Sequence, residues 1–248
     1  MAQVQEFRPP VGDCASATKE RPRAQEMGRA PWLYRCLLAL GRWVLSRLFM
    51  IEVRGERSVP AGGFLLASNH LNWIDPFILM AVLPTEPRLH FVANQDRALD
   101  RWWKRAVIGA VGGVIPLRTG SRRSHEEMLS RAYAVLQVGG ACGIFPEGRT
   151  GTEEGKLLPF KKGLGHLAVH TGAPVVPVAI SGTSELYLGR RITVTIGNVV
   201  PLGDESLALK HRAEVTVQRV RSSLEAMLVP YEEPVGVVKR WRWLTHLL

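Results

Sequence analysis

From about residue 50 onward, short apolar runs alternate with segments of helical spacing. The runs at 64–67 (FLLA), 89–93 (LHFVA), 114–117 (VIPL), 141–145 (ACGIF) and 175–180 (VVPVAI) have the length and continuity of buried strands. Residues 192–196 (ITVTI) alternate with period two, which predicts a strand exposed on one face. Met128, Leu129, Ala132, Val135 and Leu136 recur at helical spacing, and Gly139-Gly140 ends that helix. The same spacing returns in Ala213, Val217, Val220, Leu224 and Met227. Strands separated by helices predict one α/β domain over 51–230, with a mixed, largely parallel central sheet flanked by helices.

The segments outside this alternation have their own character. Residues 1–30 are polar and proline-bearing without apolar periodicity, and read as a disordered arm with no signal peptide. Residues 32–50 are the one candidate for a membrane span, but Arg35, Arg42 and Arg47 interrupt them. A central Arg costs about 2.5–3.5 kcal/mol in a bilayer, and each Leu returns only about 0.3–0.6. Arg35, Arg42 and Ser46 share a stripe, whereas Trp32, Leu33, Leu37, Leu40, Val44 and Leu48 lie elsewhere around the helix. The pattern predicts an amphipathic, membrane-associating helix over 31–50; the alternative is a helix packed on its own domain. Residues 97–110 separate Arg97, Asp100, Arg101 and Lys104 from Leu99, Trp102, Trp103, Ala106, Val107 and Ala110, a second headgroup-boundary pattern. The tail 231–248, with Lys239-Arg240-Trp241-Arg242-Trp243, is a third.

Composition narrows the partners. The 248 residues carry a formal charge of +10, so an anionic partner is expected. Eight basic side chains against two acids fall within residues 88–123. A nucleic-acid binder would interleave aromatics with cations, whereas here the tryptophans oppose the cations, which favours lipid over nucleic acid. Cys14, Cys36 and Cys142 are odd in number and scattered, which excludes a disulfide framework and a zinc ribbon and suits a reducing compartment.

Polar chemistry gathers directly after the apolar strands, where α/β folds place their sites. The strand at 64–67 runs into Ser68-Asn69-His70-Leu71-Asn72-Trp73-Ile74-Asp75-Pro76. Asp75-Pro76 has the form of a helix N-cap followed by proline. A loop histidine and a carboxylate at the following helix start can fold back to meet, so that the carboxylate orients an imidazole base. Neither a G-x-S-x-G elbow nor a reactive cysteine accompanies them, and a base without a protein nucleophile points to a nucleophile supplied by the substrate, such as a hydroxyl. Phe145-Pro146-Glu147-Gly148-Arg149-Thr150-Gly151 follows another strand, Arg118 a third, and Lys161-Lys162 lie after Phe160. Four cations so placed predict one shared pocket for an anion.

Together these residues resemble the 1-acylglycerol-3-phosphate acyltransferase family of membrane glycerolipid acyltransferases. The first family motif, N-H-x-x-x-x-D, matches Asn69-His70 through Asp75. The second, an apolar stretch ending in Arg, matches Gly113-Val114-Ile115-Pro116-Leu117-Arg118. The third, F-P-E-G-T-R-S, resembles residues 145–151, with Arg149 and Thr150 in swapped order. The fourth matches Val175-Val176-Pro177-Val178-Ala179-Ile180. Asn72 stands where many members have Ser. The resemblance implies transfer of a fatty acyl chain from acyl-CoA or acyl carrier protein to the free hydroxyl of a lysophospholipid, 1-acylglycerol-3-phosphate above all. His70 would be the base and Asp75 its orienter. Asn69, Arg118, Glu147, Gly148, Arg149, Lys161 and Pro177 would make up the substrate-binding set, with Arg118, Glu147, Gly148 and Arg149 at the acceptor's phosphate. The thioester already has a good leaving group, so no metal or cofactor is expected beyond that co-substrate. The protein would be peripheral or monotopic, at the cytosolic face of an anionic membrane.

Two rivals remain at this level, an acyltransferase for another lyso-lipid or a glycolipid, and a non-catalytic membrane-surface binder. Gly163-Leu164-Gly165-His166-Leu167-Ala168 fits G-x-G-x-x-A but follows no strand, so it is no dinucleotide site. His166 and His170 lack the metalloprotease Glu and read as two histidines on one helix face.

Overall fold

The computed structural model describes residues 31–55, 59–60, 62–94, 113–117, 122–229 and 231–247. The arm 1–30, the helix expected at 97–110 and Arg118 lie outside the described residues. Among the described residues the order begins with α1 (Trp32–Leu48), β1 (Phe49–Gly55), β2 (Phe64–Ser68), α2 (Asp75–Val82), β3 (Leu89–Asn94) and β4 (Val114–Leu117). It continues through α3 (Arg122–Gln137), β5 (Ala141–Ile144), α4 (Gly163–Thr171), β6 (Val175–Ser181), β7 (Arg190–Ile196) and α5 (Leu209–Met227), and ends in a short 3₁₀ turn, Arg242–His246. The seven strands form one sheet in the order β1-β7-β6-β2-β5-β3-β4. Its pairings are parallel except that of β6 with β7. This is the mixed, largely parallel sheet that the alternation predicts.

Strand alternation builds two cores. On one face Phe64, Leu66, Val176, Val178, Ile180, Ile192 and Val194 pack with Tyr34, Leu38 and Leu45 of α1 and Ile78 and Leu79 of α2. On the other, Leu65, Ala67, Cys142, Val175 and Ala179 pack with α3, α4 and α5 through Val135, Leu164, Leu167, Val220 and Leu224. Both faces of β2 and β6 are covered, so these strands are continuous apolar runs rather than alternating ones. Gly139, at φ 80°, takes the left-handed position that closes α3, and the Gly140 N–H returns to the Val135 carbonyl at 2.9 Å.

The structure corrects three expectations. The first helix stops at Leu48, and Phe49 already begins β1, which pairs in parallel with β7. The 192–196 strand is not open on one face: β7 lies inside the sheet between β1 and β6, and Thr193 is buried together with Ile192, Val194 and Ile196. The N-cap of α2 is Ile74, not Asp75, because the Asp75 side chain turns back towards the preceding loop.

The first helix turns one face to the domain and leaves another exposed. Tyr34, Leu38 and Leu45 pack into the domain, whereas Trp32, Leu33, Leu40, Trp43 and Val44 are exposed. Its arginines serve the protein: Arg42 donates to the carbonyls of Ala81 and Leu83 at 2.7 and 2.8 Å, capping the end of α2, and Arg35 pairs with Glu86. Among the described residues no helix is long and apolar enough to cross a membrane.

Candidate active site

The C-terminal ends of β2, β5 and β6 lie side by side in the sheet, and each releases a loop into the same region. The β2 loop carries Asn69 and His70 and returns as α2 at Asp75. Asn69 is buried and fixes the root of this loop: its side-chain amide donates to the Ile180 carbonyl at 2.8 Å and its oxygen accepts from the Ile180 N–H at 2.8 Å. That reciprocal pair mimics a sheet pairing and anchors the loop to β6.

Asp75 is fully buried. One carboxylate oxygen faces His70 Nδ1 at 2.8 Å and accepts the N–H groups of Leu71 and Asn72 at 2.7 and 2.8 Å. Three partners on one oxygen hold the carboxylate and wrap the loop around it, so imidazole orientation and loop shape depend on the same atom. With Nδ1 turned to a carboxylate, the tautomer bearing the proton on Nδ1 is favoured, and Nε2 is left as the basic nitrogen. The His70 ring is a fifth exposed and stacks on Phe145, centroids 4.1 Å apart at 17°. Phe91 in turn stacks on Phe145 at 5.4 Å. The ring is therefore clamped by a hydrogen-bonded carboxylate at one edge and an aromatic plate on one face.

The β5 loop supplies that plate and a brace. Glu147 is buried, accepting the His70 N–H at 3.0 Å on one oxygen and the Leu158 N–H at 2.8 Å on the other. Burial pushes its carboxyl above the usual range, while the two N–H groups pull the other way. With both oxygens engaged by backbone, Glu147 ties two loops together instead of facing an anion. The Gly151 N–H adds a second tie, to the His70 carbonyl at 2.7 Å.

Around this frame the basic residues are open to solvent. Gly148, at φ 67°, lets the chain turn where the Lys161 side chain crosses it: an added Cβ would lie 2.5 Å from Lys161 Nζ. Lys161 is itself anchored through its N–H to the Pro146 carbonyl at 2.7 Å. Arg149 is exposed at the rim of the same loop. Pro177 is buried in β6 opposite Ala67 and supports the sheet beneath the loops, and its carbonyl accepts the Gly197 N–H at 2.9 Å. His70, Asp75, Asn69, Glu147, Gly148, Lys161 and Arg149 thus belong to two adjoining loops, Pro177 lies below them, and Arg118 is outside the described residues.

Other candidates lie apart. Cys142 is buried in β5, its thiol pushed up to about 12 by burial, which removes it as a nucleophile. His166 and His170 sit on α4 with rings 6.4 Å apart. An open groove of about 910 Å³, lined in part by Lys162, Val200, His211 and Arg219, includes neither His70 nor Asp75. Among the described residues no group of three or more His, Cys, Asp and Glu side chains could hold a metal ion. Sequence reasoning missed the stacking of Phe145 on His70 and the bracing role of Glu147. The F-P-E-G run signals a tight loop, but nothing in it says which backbone groups the carboxylate will meet.

A family model described as Acyltransferase matches residues 50–181. The 1-acyl-sn-glycerol-3-phosphate acyltransferase of Neisseria meningitidis serogroup B is 35% identical over 147 residues, 59% of this chain and 55% of that protein. The chloroplastic 1-acyl-sn-glycerol-3-phosphate acyltransferase BAT2 of Brassica napus is 36% identical over 164 residues, 64% of this chain and 41% of that protein. The chain thus spans about half the length of the curated relatives it matches. In three dimensions it is similar to the 1-acyl-sn-glycerophosphate (LPA) acyltransferase of Thermotoga maritima. The TM-score is 0.59 at 20% identity, over 85% of this chain and 84% of that one, which is a likeness of fold.

Proposed function

The chain belongs to the acyltransferase family, and from that premise we propose that its His70–Asp75 site transfers a fatty acyl group from a thioester to the free hydroxyl of a lysophospholipid, 1-acylglycerol-3-phosphate in the first instance, giving phosphatidic acid. The observation that carries the reading is the clamped imidazole: Nδ1 is 2.8 Å from a buried carboxylate, and Nε2 is left as the base. The acceptor hydroxyl attacks the thioester carbonyl as Nε2 takes its proton. Asp75 stabilises the resulting imidazolium without itself being protonated. The tetrahedral intermediate then collapses, the C–S bond breaks, and the thiolate recovers the proton from His70. A hydroxyl is a poor nucleophile at neutral pH, and a positioned base is worth roughly 10²–10⁴ in rate.

Arg149 and Lys161 supply a positive rim for the acceptor's phosphate, the role that the family's second motif implies for Arg118 as well, and Gly148 lets the chain approach it closely. The donor is acyl-CoA or acyl carrier protein, and no metal or cofactor enters the reaction. The acceptor and product reside in a bilayer, and the exposed Trp32, Leu33, Leu40, Trp43 and Val44 of α1 supply an apolar docking face towards it. Val238, Trp241 and Trp243 of the tail are exposed as well and would add to it. The two elements meet at one loop, where the Gly189 N–H donates to the Leu48 carbonyl at 2.7 Å and the Leu188 N–H to the Arg240 carbonyl at 2.9 Å. The enzyme is read as peripheral or monotopic, at the cytosolic face. Thiol release from one acyl-CoA, measured with lysophosphatidate, other lysophospholipids and a glycolipid as acceptors, tests this. Fastest release with lysophosphatidate supports the reading; release with none of them contradicts it.

A further inference from the structure

The C-terminal segment, residues 231–247, lies outside the family-matched stretch, yet it packs against the catalytic loop. The Trp73 indole N–H donates to the Leu244 carbonyl at 3.0 Å, and the Asn72 amide reaches the Thr245 carbonyl at 3.4 Å. Asn72 and Trp73 stand between His70 and Asp75. The Asn72 N–H is also one of the three groups held by the Asp75 oxygen.

The segment is fastened at its other contacts. The Thr245 hydroxyl accepts the Leu186 N–H at 2.9 Å and donates to the Leu186 carbonyl at 3.2 Å. The Leu244 side chain is buried in the core. Buried Arg190 pairs with Glu233 at 3.2 Å and stacks on Tyr231 at 3.5 Å, while Lys239 bridges Glu185 and Glu233. Trp241 takes φ 66°, a left-handed conformation that a non-glycine side chain adopts only where its surroundings hold it, and there the 3₁₀ turn begins. These constraints together exceed what covering one leucine requires, and two of the contacts fall on the loop that shapes the His70–Asp75 pair.

We propose that residues 231–247 form a strap that positions the catalytic loop, with Thr245 and Trp73 as the positioning residues at its contact. The proposal rests on the reading of His70 as the base for its kinetic consequence, though not for its structural one. The strap touches neither hydroxyl nor thioester. It acts by keeping residues 71–74 wrapped around the Asp75 carboxylate, so that Nε2 keeps its aim. Its outer face carries the exposed Trp241 and Trp243, so the element that meets a lipid surface is the one that holds the loop.

The test uses the full chain with Thr245→Val, Trp73→Phe and the double variant, with thermal unfolding as the control for the packing that Trp73 gives the core. In the double variant kcat should fall about tenfold, because small misplacement of a reacting group is costly in rate. KM for donor and acceptor should stay within about twofold, and Thr245→Ser should restore the Thr245→Val loss. Amide hydrogen exchange should rise at residues 70–72, whose N–H groups are held by Glu147 and Asp75, while β5 and β6 keep their protection. An unchanged kcat, or exchange that rises uniformly across the sheet, would overturn the strap. If wild-type thiol release is itself absent, the functional reading has failed and the exchange pattern alone decides the strap.

Discussion

Asp75 concentrates three hydrogen bonds on one carboxylate oxygen, and that economy makes it the residue least tolerant of exchange. Asp75→Asn can keep its amide oxygen on all three partners but removes the negative charge that stabilises the imidazolium, so turnover should fall at least about a hundredfold while substrate KM changes little. Steady-state thiol release on the folded variant measures both. Glu147→Gln should act differently. One of its two buried acceptors becomes a donor facing a backbone N–H, which costs about 1–3 kcal/mol of stability, read in denaturant unfolding. Arg149, exposed at the loop rim, should affect the acceptor: Arg149→Ala should raise the lysophosphatidate KM about tenfold or more, as loss of a charge-assisted contact of about 1.5–3 kcal/mol implies. An unchanged acceptor KM with a raised donor KM would move Arg149 out of the phosphate site.

Among the elements, β3 carries a pH-sensitive residue that the chemistry does not use. His90 is buried, and desolvation, helped by the Arg88 charge, holds its pKa at about 4. The folded state therefore binds the proton more weakly than the unfolded chain. Stability is fully retained above the ordinary histidine pKa and is lost progressively as pH falls from about 6.5 towards 4. Thermal unfolding at pH 7 and 5 should show the drop, and His90→Gln should lessen it. The elements themselves were legible where one physical signal dominated. Continuous apolar runs gave the strands of the sheet from β2 to β6, because burial on both faces leaves no alternation to misread. The period-two run in β7 misled, since Thr193 is buried although it alternates with Ile192 and Val194, and β1, of which Phe49 and Met50 read as helix, pairs along it. Phe49 and Met50 fit the end of an amphipathic helix as well as the start of a strand, and only pairing with Arg190 and Arg191 decides between them. The His70–Asp75 pair was legible from spacing and strand position. The Glu147 brace and the grip of Leu244 and Thr245 on the catalytic loop were not, because they join residues 77 to 173 positions apart with no local periodicity to announce them.

At the scale of the whole molecule, two elements of a basic protein carry exposed apolar residues, α1 and the tail that contacts the loop bearing the candidate base. Binding to vesicles should therefore need both anionic lipid and an apolar interface. High salt should loosen it only in part, because screening removes the charge contribution of about 1 kcal/mol per cation and leaves the apolar one. Flotation with and without phosphatidylglycerol, at low and high salt, reads this directly, and a chain that stays in solution with anionic vesicles at low salt contradicts it. The central claim is that an imidazole held by a buried carboxylate activates a lipid hydroxyl, and the most direct measurement is thiol release from acyl-CoA and lysophosphatidate by His70→Ala beside the wild type. The account predicts that kcat falls roughly 10²–10⁴-fold while thermal unfolding and vesicle binding are retained. A folded His70→Ala protein with more than about a tenth of wild-type turnover would contradict it.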